Sequence, residues 1–165
     1  MSTITLKGKA TKTCGSLPPV GSDAPDFSLI DKNLAQKALK DFKGKKTIIY
    51  TVPSLDTPTC MLSTKKLSEL IKAHADVNLV VVSADLPFAQ TRVCGLENLQ
   101  NVHTLSMMRS KDFASEYGIL IIDGPLEGLC ARALVAINEK GVVVHTELVE
   151  EIASEPSYEK AFSKF

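Results

Sequence analysis

Thr47-Ile48-Ile49-Tyr50-Thr51-Val52-Pro53-Ser54-Leu55-Asp56-Thr57-Pro58-Thr59-Cys60 decides the fold, because it joins two elements with different periods. Residues 47–52 are β-branched and almost continuously apolar, the pattern of a strand covered on both faces. Pro53 stops that strand, since it has no N–H for the ladder. From Cys60 onward, Leu62, Leu67, Leu70 and Ile71 form an apolar stripe among Lys65, Lys66, Glu69 and Lys72, which predicts a helix to about Ala75. Cys60 therefore stands where a helix begins. Unpaired backbone N–H groups there carry partial positive charge, which favours a nucleophilic thiolate.

Working outward, Asn78 to Ser83 repeats the buried-strand pattern, and Pro87 to Cys94, followed by Gly95, predicts a short helix closed by glycine. His103 to Ser106 and Ile119 to Ile122 are short strand candidates, with a helix from Lys111 to Tyr117 between them, stopped by Gly118. Arg132 to Asn138 and Val142 to Leu148 predict a hairpin, and a last helix begins near Pro156. At the other end, Ile4 to Cys14 alternates around Gly8-Lys9 and predicts an N-terminal β-hairpin that decorates the main domain. Residues 16–26 are rich in turn formers, Phe27 to Ile30 is a short strand, and Lys37 to Phe42 holds a turn or two of helix. Crossovers followed by a terminal hairpin imply an α/β fold with a central mixed sheet flanked by helices.

A chain of 165 residues suits one domain, 1–165, with 1–15 as its hairpin extension. It buries roughly two-thirds of its unfolded surface without covalent braces. Lys plus Arg and Asp plus Glu are both 19, so no net field draws it to nucleic acid or anionic membranes. The first residues lack the basic head and apolar run of a secretory signal, and no stretch approaches a membrane span. Four separated cysteines, Cys14, Cys60, Cys94 and Cys130, show no Cys-x-x-Cys pair. A reducing cytoplasmic setting follows as the expectation.

Two residues fit a nucleophilic Cys60. Thr57, three residues earlier, caps or lines the first helical turn. Arg132 enters the apolar run Leu129-Cys130-Ala131-Arg132-Ala133-Leu134-Val135, where its charge needs a partner, and the Cys60 thiolate is the best one. Pro53 shields the sulfur. Cys94, on the helix after the next strand and facing the same end of the sheet, is a second thiol able to condense with an oxidised Cys60. His74, His103 and His145 lie apart from Cys60, which leaves a Cys-His hydrolase without support. The missing Cys-x-x-Cys pair likewise disfavours a thiol-disulfide oxidoreductase.

Three motifs now resemble one family, the thiol peroxidases, which are atypical two-cysteine peroxiredoxins of thioredoxin-like fold. Pro53 to Cys60 resembles the family's peroxidatic loop, Ser83-Ala84-Asp85-Leu86-Pro87-Phe88-Ala89-Gln90 with Cys94-Gly95 its resolving segment, and Leu129 to Leu134 its arginine strand. The likeness extends through Gly124-Pro125-Leu126 and Glu155 to Glu159. It implies that Cys60 is the peroxidatic cysteine, Cys94 the resolving cysteine, and Pro53, Thr57 and Arg132 their pocket. It further implies reduction of hydrogen peroxide or organic hydroperoxides, a Cys60–Cys94 disulfide, thioredoxin as reductant, a homodimer, and no metal, haem or flavin. Two departures stand out. Pro58-Thr59 replaces the family's frequent Gly-Val, and Cys130 falls where a small residue is common; Cys14 belongs to no motif of the family.

Overall fold

The computed structural model describes residues 1–165. Its element order is β1 (Thr3–Leu6), β2 (Lys9–Lys12), β3 (Leu29–Ile30), β4 (Gln36–Lys37), a 3₁₀ turn (Leu39–Phe42), β5 (Lys46–Thr51), α1 (Pro58–Lys72), β6 (Val77–Ser83), α2 (Pro87–Leu96), β7 (His103–Ser106), α3 (Asp112–Glu116), β8 (Ala133–Ile137), β9 (Val143–Leu148) and α4 (Tyr158–Phe162). Seven strands form one mixed sheet in the order β4-β3-β7-β6-β5-β8-β9. The three central strands β5, β6 and β7 are parallel, whereas β8 and β9 join antiparallel at one side and β3 and β4 at the other. The α/β class and the central mixed sheet are those the periodicity predicts.

Because β5, β6 and β7 follow each other in one direction, right-handed crossovers put α1 and α2 on the same face. The core there gathers Ile48, Tyr50, Leu79, Val81 and Leu134 beneath Leu67 and Ile71 of α1, Val93 of α2 and Ala161 of α4. The opposite face packs Ile49, Val80, Val82, Leu105 and Val135 against Phe27, Phe113 and Tyr117. With both faces covered, the strands read as continuous apolar runs.

Four local expectations change. The buried stripe of α1 is Cys60, Ser63, Thr64, Leu67, Ser68 and Ile71, while Leu62 is 47% exposed. Short hydroxyl side chains satisfy themselves on the preceding turn, Thr64 Oγ1 donating to the Cys60 carbonyl at 2.7 Å, and let the helix sit close to the sheet. Gly95 does not close α2. The helix runs on to Leu96, and Asn98 (φ 54°) takes the left-handed position, with Leu99 N–H bonded to the Cys94 carbonyl at 2.8 Å and Asn98 N–H to the Gly95 carbonyl at 3.3 Å, a Schellman cap. Residues 119–122 make only isolated bridges, Leu120 with Cys130 and Ile121 with Thr13. A short strand, Gln36–Lys37, precedes the 3₁₀ turn where the sequence predicts helix alone.

The N-terminal hairpin is present, turning at Lys7-Gly8 with both residues at positive φ. It is more than decoration. Glu151 accepts hydrogen bonds from Thr5 Oγ1, Gly8 N–H and Lys7 N–H and from its neighbour Ala153 N–H, which together pull its carboxyl down to about 2. Thr5 also pairs through its backbone with Glu150 and Ile152. No helix is long and apolar enough to cross a membrane.

Candidate active site

Thr57 is the N-cap of α1 and Pro58 its first residue, so Cys60 is the third residue of the helix. Thr57 Oγ1 accepts from Cys60 N–H at 3.3 Å and donates to the Ser54 carbonyl at 3.4 Å. One hydroxyl therefore fixes both the loop and the helix start. Pro53 is buried where the chain leaves β5.

Arg132 lies one residue before β8, a position shorter than the strand the sequence predicts. In the ladder Tyr50 faces Leu134, two residues from Arg132, so Tyr50 and Arg132 project from the same sheet face, the one α1 covers. Arg132 is 1% exposed, and each of its three guanidinium nitrogens donates a hydrogen bond. Its Nε donates to the Ile152 carbonyl at 2.9 Å, one Nη to Tyr50 Oη at 2.7 Å, and the other to Cys60 Sγ at 3.2 Å. Burial works against its charge, but attraction and hydrogen bonding to Tyr50 and Cys60 outweigh that and raise its pKa. It stays a cation. Burial likewise pushes the Tyr50 hydroxyl up to about 12, against the pull of Arg132, so Tyr50 remains a neutral phenol.

Cys60, 1% exposed, thus has a charged donor aimed at its sulfur and an N-terminal helical turn beneath it. Negative charge developing on that sulfur or on an oxygen transferred to it meets a pre-oriented N–H donor. Sequence reasoning finds Cys60, Thr57 and Arg132, which the fold brings together. It misses Tyr50 and the Ile152 carbonyl, which orient the guanidinium, since both depend on register and on a loop 20 residues downstream of Arg132.

Cys94 is elsewhere. It is the eighth residue of α2, about 10 Å along the helix axis from Pro87 at 1.5 Å per residue, and its charged neighbour is Lys32 of the β3–β4 connection, not Arg132. Its half-buried thiol is raised by burial, partly offset by Lys32. The expectation that both thiols face one end of the sheet is corrected: Cys60 opens α1 where the chain leaves β5, whereas Cys94 sits in the final turn of α2, which runs from the end of β6 back toward the start of β7. All four cysteines are free thiols. Cys130 is buried against the Met107 sulfur at 3.4 Å, and burial pushes its thiol up to about 12; Cys14 packs near the Ala114 and Ser115 carbonyls.

No group of three or more His, Cys, Asp or Glu side chains is placed to hold a metal. A cleft of about 740 Å³ lies at the other end of the parallel strands, where Lys32, Lys37, Lys45 and His103 line it. It holds none of the residues around Cys60.

The redoxin family pattern matches residues 19–162. Thiol peroxidases of Mycobacterium bovis and Mycobacterium tuberculosis are 45% identical over 163 residues, covering 99% of this chain and 98% of theirs. Among solved structures, a peroxiredoxin-like protein from Aquifex aeolicus superposes with a TM-score of 0.93 at 41% identity, covering 99% of this chain and 95% of that one. A thiol peroxidase from Chromobacterium violaceum shares the fold, with a TM-score of 0.92 at 23% identity over 98% of this chain and 93% of its own.

Proposed function

This chain belongs to the redoxin family, within it to the thiol peroxidases, and from that premise we propose that Cys60 reduces hydroperoxides through an intramolecular disulfide with Cys94. The observation that carries the reading is the Arg132 N–H donated to Cys60 Sγ at 3.2 Å inside a buried site at a helix start. The Cys60 thiolate takes one peroxide oxygen, the O–O bond breaks, and the other oxygen leaves as water or an alcohol after gaining a proton. Arg132, Thr57 and backbone N–H groups hold the oxygens in line, and Pro53 walls the sulfur from solvent. Cys60 becomes a sulfenic acid.

Cys94 then displaces that oxygen: the S–O bond breaks as the S–S bond forms, and the hydroxyl leaves with the Cys94 proton as water. A disulfide requires Cα atoms within about 7 Å, so the first turn of α1 and the capped end of α2 unwind before it closes. Thioredoxin returns two electrons to the disulfide, and no prosthetic group takes part. The working unit is a homodimer of one-domain subunits, 1–165, in the cytoplasm. Support for the dimer comes from Leu86 and Phe88 at the start of α2, which are 55% and 67% exposed, a large apolar area for an unpartnered surface.

One equivalent of hydrogen peroxide followed by peptide mass mapping tests this. A Cys60–Cys94 crosslink, reopened by thioredoxin with its reductase, is expected. A crosslink through Cys14 or Cys130, or full peroxide turnover by Cys60→Ser, overturns it.

A further inference from the structure

Against the Cys60 loop stands a carboxylate that the chemistry above does not use. Asp85, in the β6–α2 connection, accepts from Ser54 Oγ at 2.7 Å on one oxygen and from Leu55 N–H and Ser83 Oγ, both at 2.7 Å, on the other. Ser54 Oγ in turn accepts from Asp56 N–H at 3.1 Å, and the Ser54 carbonyl receives the Thr57 hydroxyl that caps Cys60. Ser54 therefore links the two groups: its hydroxyl is held by Asp85, and its carbonyl takes the Thr57 hydroxyl that accepts the Cys60 N–H.

The other side of Asp85 leads to α2. Ser83 Oγ receives Gln90 Nε2 at 3.0 Å, and that amide also donates to the Leu105 carbonyl at 2.9 Å. Ser83 and Gln90 are fully buried, and Gln90 sits one helical turn before Cys94. Ser106 on β7 donates to the Asp85 carbonyl as well. Asp85 thus grips the Cys60 loop with its carboxylate and, through Ser83 and Gln90, the helix of Cys94.

We propose that Asp85 is a positioning residue that locks the Cys60 loop and the Cys94 helix in the peroxide-reactive arrangement, and that release of this clasp admits the disulfide. The proposal rests on the two-step reading under Proposed function. The physical ground is that the clasp exists only while residues 53–57 stay folded on the β6–α2 connection. Oxidation of Cys60 and unwinding of its loop withdraw Ser54 and Leu55 from the carboxylate, freeing α2 on its Ser83 side. A carboxylate suits the post because all three partners are donors; an amide offers only one accepting oxygen. Removing the clasp weakens the peroxide-reactive state relative to the open one, so the two chemical steps respond in opposite directions.

The test uses the full chain with one equivalent of hydrogen peroxide, acid quenching and intact-mass measurement to time Cys60 sulfenic acid formation and its conversion to the disulfide separately. Asp85→Ala is expected to slow the first step about tenfold and speed the second about tenfold, the loss of three hydrogen bonds to a charged group being shared between the two steps. Ser54→Ala removes one of the three donors and moves both steps the same ways by about threefold; it carries the test if Asp85→Ala fails to fold. Both rates falling together, or neither moving, overturns the clasp. A wild-type chain that forms no Cys60 sulfenic acid or no Cys60–Cys94 disulfide removes the two-step reading and the clasp with it; a wild type that completes both steps while the variants show no opposed shift removes the clasp alone.

Discussion

Cys60 and Cys130 are equally buried, at 1% and 0% exposure, yet their surroundings have opposite chemistry. Cys60 receives a guanidinium N–H and stands in the first turn of a 15-residue helix; Cys130 faces the Met107 thioether, which donates nothing, and its thiol is held near 12. Burial alone therefore says nothing about reactivity. The difference lies in whether the fold spends a buried cation on the sulfur, and a cation placed there needs further partners of its own.

The sharpest break of the contrast is to exchange the roles of the two thiols. Cys60→Ser is expected to cut peroxide consumption by at least about 10³-fold, since hydroxyl oxygen is a poor substitute for sulfur as a nucleophile, while Cys130→Ala keeps it within about twofold; coupled turnover with thioredoxin measures both. Next, Arg132→Met gives Cys60 the kind of neighbour that Cys130 has. Its kcat/KM for hydrogen peroxide should drop about 10²-fold to 10³-fold, the cost typical of losing one oriented donor to developing charge.

Cys94 sharpens the comparison from a third side. Its pKa is raised by burial, so at neutral pH it is chiefly the protonated thiol and thiolate is scarce. The rate of disulfide closure, timed by quenching and mass, is expected to climb with pH by up to about tenfold per unit below that pKa, because thiolate is the attacking form. The smallest effect tests orientation alone. Tyr50→Phe leaves the guanidinium and the sulfur in place but removes the hydroxyl at 2.7 Å, and about a fivefold loss in kcat/KM with unchanged KM is expected, of the order of one hydrogen bond. A thermal midpoint that falls while the rate holds would show Tyr50 to be structural only.

What sequence reveals here is what is local. Thr57, Pro58 and Cys60 fall within four residues at one helix start, so capping chemistry alone locates them. Arg132 is legible because an arginine in an apolar run must find a partner. Tyr50, Ile152 and Asp85 are not legible: Tyr50 lies among β-branched neighbours and reads as core, and its meeting with Arg132 depends on the β5–β8 register. The end of α2 is misread for a similar reason. Gly95 offers the permissive residue, but Asn98 takes the left-handed position because the Schellman bonds close there. Hydroxyl residues in the α1 stripe show the same limit, since Ser63 and Thr64 read as surface until the sheet is known to lie against them.

The strap that joins the N-terminal hairpin to Glu151 and Ile152 also sets when this molecule becomes competent during its synthesis. The carbonyl that orients Arg132 belongs to Ile152, whose own N–H is bonded to the Thr5 carbonyl at 2.8 Å. As the chain leaves the ribosome, Cys60 emerges long before the segment that aims its guanidinium. β1 therefore cannot make these bonds until the segment around Ile152 has been made. The carbonyl that aims Arg132 is itself anchored by β1, so the hairpin and the reactive thiol are coupled through one residue.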